Sequence, residues 1–257
     1  MALNNLPAQS GNPAWKSLRN IVVSGESSEV ITRSAIAVRV AFLLAACMGS
    51  AAAAWIAARN GLIDPGQVPA ILMGAGLTYL ALGLVIAFKP GAASWLATPA
   101  VTIEGAGLGL LTMVVDARYP GIGTQALLAT LVVGGVSWGA YASGLIKPGA
   151  RFVSIVQVAT LSVVVLYAAD LLLSFWMPQN PVRNMIGGSS LVGIGFSLLM
   201  VGLAAMNLVV DYMQADALIA QRAPKNVAWY AAWAVMVTLI WLYVEMLRLL
   251  MKLNSRR

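Results

Sequence analysis

The sequence predicts an all-α, polytopic membrane protein built as a bundle of seven transmembrane helices. Three observations carry this prediction: of the 257 residues 60% are hydrophobic, 10% are charged, and the mean hydropathy is +0.83. Soluble domains contain about 25% charged residues. We therefore expect apolar side chains to face lipid over most of the chain, and the bilayer is its first predicted partner.

The first predicted segment, residues 1–33, is a mobile cytoplasmic tail. It contains Pro7, Pro13 and five charged residues, and it lacks a sustained apolar period. A cleaved signal peptide places its apolar stretch near the start, whereas the first such stretch here begins at about Ser34. The first span is therefore expected to act as its own insertion signal.

Seven apolar stretches follow, each near or above the roughly 20 residues that a helix needs to cross about 30 Å of hydrocarbon. The predicted spans are residues 35–58, 68–88, 93–115, 121–145, 152–176, 189–217 and 229–251. Each break between them contains Gly or Pro, which favours a turn. Residues 34–251 thus form the predicted transmembrane domain, and residues 252–257 form a short basic C-terminal tail.

The distribution of Lys and Arg favours a cytoplasmic N-terminus. In that orientation the inside segments hold Lys16, Arg19, Arg33, Lys89, Lys147, Arg151, Arg222 and Lys225, and the outside loops hold Arg59, Arg118 and Arg183. Seven spans then place the C-terminus outside, although it carries Arg248, Lys252, Arg256 and Arg257. Either this basic end is translocated or one segment is re-entrant, and we predict seven full spans. The net charge of +7 is interpreted as topological, so no nucleic-acid partner is expected.

Residue types that the chain lacks exclude several chemistries. The sequence contains no His and one Cys, Cys47. This excludes His-based metal sites, His general bases, intrachain disulfides and a Ser-His-Asp hydrolase. Because no nucleophile stands beside a base, the chain is not expected to be an enzyme, and no cofactor is expected.

Glycines are spread through the spans. They favour close helix packing within the bundle, with dimerisation as the second interpretation, and Gly135 with Gly139 forms a G-x-x-x-G pair. The glycines are Gly74, Gly76, Gly105, Gly107, Gly109, Gly135, Gly139, Gly193 and Gly195. The Gly-x-Gly runs at Gly105 and Gly193 lie in continuous apolar sequence with no strand before them. They are therefore not interpreted as dinucleotide-binding motifs.

Five carboxylates lie within or at the edges of the spans: Glu104, Asp170, Asp211, Asp216 and Glu245. A charge at the bilayer centre costs at least about 2.5 kcal/mol, so such residues normally face a bundle interior or water. Asp211 lies deep in its span with no basic residue beside it, which favours a functional role. For Glu104, in the middle of the third span, functional and structural roles are equally supported.

The other three carboxylates have simple structural interpretations. Asp216 lies at the end of its span, where water solvates it, and it lies about 140° around the helix from Asp211, so the two are not a dyad. Glu245 is three residues before Arg248, which predicts a local ion pair. Asp170 lies about two turns from the end of its span and is expected to hydrogen-bond to a neighbouring helix.

Several separated motifs resemble the bacterial branch of the Bax-inhibitor family of transmembrane proteins. The strongest are GFSLLMVGLAAMNLVVDY from Gly195, APKNVAWYAAW from Ala223 and VTLIWLYVEMLRLL from Val237. The Glu104-Gly105 pair, YPGI from Tyr119 and NPAW from Asn12 are similar to that branch as well. The motifs occur in the family's order and cover nearly the whole chain from Asn12 onward.

The resemblance implies a fold, a location and an activity. The fold is a seven-helix bundle with one helix enclosed by the others, and the location is the bacterial inner membrane. The activity is that of the Bax-inhibitor-motif calcium leak channels, in which two aspartates on the last two helices sense pH. Asp211 matches the first aspartate, whereas the second position corresponds to Thr238, which does not ionise. Glu245, about 10 Å further along the same helix face, is the candidate to replace it.

The resemblance therefore implies a pH-sensitive cation leak channel with calcium as its ion. Asp211 is the predicted sensor, with Glu245, Glu104 and Asp170 along the ion pathway and Arg248 as the ion-pair partner of Glu245. Calcium would bind only transiently, because the sequence contains no cage of six oxygen ligands and thus no high-affinity metal site. The alternatives are an accessory protein that binds a larger membrane complex or membrane protease, and a proton-coupled transporter.

Overall fold

The computed structural model describes residues 29–177 and 181–256. Within these ranges seven helices are long and apolar enough to cross a membrane, and no strand occurs. They are α1 Arg33–Arg59, α2 Val68–Phe88, α3 Ala93–Arg118, α4 Ile122–Ala142, α5 Ala150–Trp176, α6 Leu191–Ala220 and α7 Val227–Asn254. A short helix, Pro181–Gly187, precedes α6. The predicted all-α polytopic fold is confirmed, and the enclosed helix stays a prediction.

Local sequence explains where the helices begin and end. The Thr32 side chain accepts a hydrogen bond from the backbone N–H of Ala35 and so caps the start of α1. Helix α4 ends at Ala142, three residues before the predicted limit. Gly144 adopts a φ of +73°, and its N–H donates to the carbonyl of Tyr141. A glycine in the left-handed region is a common helix terminator, and hydropathy alone does not reveal it.

The two ends of the chain differ from the predicted boundaries. Residues 1–28 of the predicted tail, with the NPAW motif, lie outside the described residues. The last residues of that predicted tail, however, are folded: Val30 forms a bridge with Pro224, and the N–H of Ile31 donates to the carbonyl of Ala223 at 2.9 Å. At the other end α7 continues to Asn254, so the predicted C-terminal tail begins inside a helix.

The helices form two compact units. The first comprises the chain up to Val114 together with Gln214–Met236. In it α3 packs closely on α1, because a side chain at Gly105 would overlap Ser50 and the Cys47 carbonyl, and one at Gly109 would overlap Ala51. A cluster of buried apolar residues, including Ile31 and Leu218, lies under the loop between α6 and α7.

The second unit comprises Val115–Met213 and the chain from Val237 onward. Its apolar cluster joins α5 to α6 through Val156, Val163, Met200, Leu203 and Val210. Among the glycines predicted to pack closely, Gly135 and Gly139 do not, since a methyl group added at either would meet no atom within 4 Å. The prediction is confirmed at Gly105 and Gly109 of the first unit.

Candidate functional site

Asp211, the predicted pH sensor, lies partly buried on α6 and contacts Thr238 of α7. The Thr238 hydroxyl donates to Asp211 Oδ2 at 2.6 Å. This length is typical of a hydrogen bond from a hydroxyl to a carboxylate. The residue that stands where the resemblance places a second aspartate therefore touches the first one, with a hydroxyl in place of the carboxyl.

One turn before Asp211, an amide connects α6 to α5. Asn207 Nδ2 donates to Thr160 Oγ1 at 2.8 Å and to the carbonyl of Leu203 at 2.9 Å. On the other side of Asp211, the Tyr212 hydroxyl lies 3.4 Å from the carbonyl of Gly134 on α4. Asp211 is thus flanked along α6 by polar contacts to two further helices of its unit.

Glu245 is buried, with 1% of its surface exposed, and its hydrogen-bond partners do not include Asp211. Glu245 Oε1 accepts hydrogen bonds from the Tyr167 hydroxyl at 2.8 Å, from Trp241 Nε1 at 3.3 Å and from Arg248 Nη1 at 2.9 Å. The predicted local pair with Arg248 is present, and Arg248 Nη1 also donates to the Tyr167 hydroxyl. Among the described residues, no hydrogen bond or ion pair connects Glu245 with Asp211.

Lys252 is a buried charged residue that sequence reasoning did not identify as a candidate. It is 3% exposed, although the sequence places it in a basic tail. Its Nζ donates to the carbonyl of Ile186 at 2.6 Å, to the carbonyl of Gly193 at 2.8 Å and to Ser197 Oγ at 2.8 Å. The sequence did contain a sign of this burial. Lys252 follows Glu245 by two helical turns, which places both residues on the same face of the helix.

These contacts form four groups that follow one another along α6 and α7, and we call their side chains together the polar seam. On α7 its members are spaced three and four residues apart, which places them on one face over about 21 Å of helix. Partners on α5 and α6 follow the same periodicity. The polar seam consists of Thr160, Tyr167, Ser197, Asn207, Asp211, Thr238, Trp241, Glu245, Arg248 and Lys252. All ten residues belong to the second unit.

Two further acids of the predicted spans lie on α5 and α6. Asp170 lies partly buried on α5, and its carbonyl accepts from Ser174 Oγ at 2.6 Å. Asp216 is not merely solvated, because Arg33 Nε and Nη2 donate to its two carboxylate oxygens at 2.9 and 3.0 Å. The 140° separation from Asp211 thus gives the two acids different partners.

Glu104 lies partly buried on α3 in the first unit, next to the close contact at Gly105. A side chain at Gly105 would overlap Ser50 and the carbonyl of Cys47, whose thiol is buried on α1. On α2 the Tyr79 hydroxyl is buried and has no hydrogen-bond partner in the described part of the chain. Glu104 therefore lies beside the closest contact between α3 and α1.

The described residues contain no group of three or more Cys, Asp or Glu side chains that could hold a metal ion. Asp211 has a hydroxyl as its partner, and Glu245 has a guanidinium. In the second unit the acids are therefore separate from one another. A cation that met Asp211 would find one carboxylate and neutral oxygens, which is a weak site for calcium.

Comparison with known proteins identifies the family. No curated protein and no solved structure matches the chain. The sequence does match the family described as Bax inhibitor 1 like, over residues 7–255. That match covers nearly the whole chain and includes all seven spanning helices. The chain therefore belongs to the Bax inhibitor 1 like family of membrane proteins.

Proposed function

We propose that this protein is a pH-regulated cation leak channel, with calcium as its main ion and Asp211 as its pH sensor. The observation that carries the proposal is the contact between Asp211 and Thr238, which connects a partly buried acid on α6 to α7. Membership of the family and the polar seam support the same function. No enzymatic activity or cofactor is part of the proposal.

The chemistry of Asp211 gives the proposed switch its form. An ionised Asp211 accepts a hydrogen bond from Thr238 and attracts a cation. A protonated Asp211 carries no charge and can itself donate to the Thr238 oxygen, because a hydroxyl both donates and accepts. Protonation therefore removes the attraction for the cation and reverses the direction of the hydrogen bond between α6 and α7.

The partner of Asp211 distinguishes this switch from one built on two aspartates. Two carboxylates in contact repel when both are ionised, and this repulsion can push helices apart. A threonine has no charge to contribute, so no such repulsion arises between Asp211 and Thr238. We therefore propose that pH acts here mainly by changing the charge of Asp211 that a cation meets. The accompanying change in helix spacing should be smaller than in a switch built on two aspartates.

The test is calcium flux into liposomes that contain the purified protein, measured over a series of pH steps. Asp211→Asn mimics the protonated acid in shape and charge, so we expect its flux to lose most of its dependence on pH. Asp216→Asn is the matched control, with the same substitution on the same helix at an acid bound to Arg33, and should keep the wild-type profile. An unchanged profile in Asp211→Asn would refute the sensor assignment, and absence of flux in wild type would favour the accessory-protein alternative.

A second variant tests the role of Thr238. Thr238→Asp places two carboxylates in contact, and like charges disfavour the ionisation of both. We expect the flux transition of Thr238→Asp to move to higher pH. Thr238→Val adds no second acid, so its transition should stay at the wild-type pH and have a lower amplitude. A transition that is identical in all three proteins would show that position 238 does not act on Asp211.

We also propose that the protein lies in a bacterial inner membrane with its N-terminus in the cytoplasm. The distribution of Lys and Arg over the loops supports this orientation, and seven spans then place the C-terminus outside. In the folded protein Arg248 is bound to Glu245 and the Lys252 ammonium donates to three oxygens, so both charges have partners at that end. In a Cys47→Ala background, Leu62→Cys should react with an impermeant thiol reagent on intact cells and Asn226→Cys should not. The reverse pattern would overturn the orientation.

A further inference from the structure

Lys252 occupies a site made of oxygen atoms. Two of its three acceptors are backbone carbonyls, those of Ile186 and Gly193, and the third is the hydroxyl of Ser197. An ammonium has three N–H donors, and here all three have partners among the described residues. The site therefore satisfies a small cation completely without supplying a carboxylate.

The end of the short helix beside this site favours a positive charge, whereas Gly193 and Ser197 lie in the first turns of α6, where the helix dipole does not. Ile186 lies in the last turn of the short helix Pro181–Gly187, where carbonyls have no partner within the helix. Unpaired carbonyls at a helix end interact favourably with cations. Ser255 supports the same arrangement, because its hydroxyl lies 2.6 Å from that of Ser189 and so holds the end of α7 against the segment before α6.

The site lies at one end of the polar seam. Lys252 follows Arg248 by one turn, and Arg248 is bound to Glu245. A cation that moves along the polar seam from Asp211 therefore meets the neutralised pair of Glu245 and Arg248 and then the positive charge of Lys252. Both the charge of Lys252 and its occupation of the oxygen site oppose the passage of a second cation.

We infer that Lys252 is a plug tethered to the chain: its ammonium fills a small-cation site at the end of the polar seam and so restricts the leak. The inference rests on the proposed function, because a plug restricts a leak only where one exists. It also requires that the oxygen site accept a free alkylammonium ion when the lysine side chain is shortened, and that property does not depend on transport.

Lys252→Ala tests this, with n-propylammonium as the probe, because this ion replaces the three carbons and the nitrogen that the substitution removes. We expect calcium flux at the pH of lowest wild-type leak to rise about tenfold, which corresponds to 1.4 kcal/mol at 25 °C. Adding n-propylammonium to strongly buffered vesicles should return the flux to the wild-type level. Tetramethylammonium, which has the same charge but no N–H donor, should not.

Controls separate the plug from a general loss of structure. Lys147→Ala removes an exposed lysine of the same unit and should leave the flux unchanged. Lys252→Gln keeps most of the side-chain length but removes the charge, and it replaces Lys252→Ala in the test if that variant does not fold. It should also leak faster than wild type. In detergent, n-propylammonium should raise the melting temperature of Lys252→Ala and leave that of wild type unchanged.

The outcomes distinguish the two proposals. If wild-type flux depends on Asp211 but Lys252→Ala and Lys252→Gln leak at the wild-type rate, the plug is wrong and the proposed function stands. Faster flux that n-propylammonium does not reduce would also overturn the plug, since the oxygen site would then not hold the cation. If vesicles with wild type and with both variants are all impermeable, the proposed function and the plug fail together.

Discussion

Replacing Glu245 by Gln separates a structural role of this residue from a role in pH sensing. The wild-type carboxylate accepts four hydrogen bonds, from Tyr167, from Trp241 and twice from Arg248. The amide keeps one oxygen but turns an NH₂ group toward donors, and it leaves the guanidinium without a counter-charge. We therefore expect Glu245→Gln to destabilise the protein while its flux keeps the wild-type dependence on pH.

The size of the effect follows from burial. Breaking a fully buried ion pair costs about 3–5 kcal/mol, because one charge remains buried without a partner. The Glu245 side chain is 2% exposed but that of Arg248 is 27% exposed, so water can solvate part of the guanidinium. We therefore expect a loss of about 2–3 kcal/mol in the free energy of unfolding, somewhat below the range for fully buried pairs.

The assay is a double-mutant cycle measured by denaturant unfolding in detergent micelles. Arg248→Met removes the charge but keeps much of the side-chain volume, and the double variant should be more stable than the sum of the single effects implies, by about 1–2 kcal/mol. Glu29→Gln is the matched control at an exposed acid that is paired with Lys225, and it should lower the stability less than Glu245→Gln does. A Glu245→Gln variant as stable as wild type would refute the structural reasoning, and one whose flux loses its pH dependence would make Glu245 part of the sensor.

Two further predictions concern the first unit. Gly105→Ala should lower stability by about 1–3 kcal/mol, because its Cβ would overlap the backbone of α1, whereas Gly139→Ala, which points into open space, should not; equal melting temperatures would contradict this. The Lys225 ammonium, which donates a hydrogen bond to Glu29, holds the pKa of that carboxyl below its usual 4.5, so the pair stabilises the protein above that pH. The stability difference between wild type and Glu29→Gln should therefore disappear as the pH falls through the lowered pKa, and a difference that persists in strong acid would disprove the linkage.

The number and order of the spanning helices could be predicted from sequence because lipid imposes a simple rule. A helix must be long and apolar enough to cross the bilayer, and residues such as Pro90 and Gly121 interrupt the apolar runs at the loops. Exact ends were less predictable, since they depend on local backbone geometry. Gly144 ends α4 through its left-handed conformation. The apolar residue that follows Gly144 therefore extended the predicted span but does not belong to the helix.

The partners of the charged residues were less predictable than the residues themselves. Spacing within one helix predicted the pair of Glu245 and Arg248. Contacts between helices, such as those of Asp211 with Thr238 and of Lys252 with Ser197, depend on how the helices rotate against each other. Hydropathy does not determine that rotation, so Thr238 looked like a missing acid before the structure showed it as the partner of Asp211.

The burial of Lys252 also bears on how the protein is made. Its acceptors form a site only when the short helix before α6, the first turns of α6 and the end of α7 have come together. In the orientation that we propose, the end of α7 leaves the cytoplasm during insertion while Lys252 and Arg248 are still unpaired, and added positive charge at a C-terminus can invert the topology of a membrane protein. We expect a basic C-terminal purification tag to reduce the yield of correctly inserted protein, and a neutral or acidic tag at the same place to preserve it.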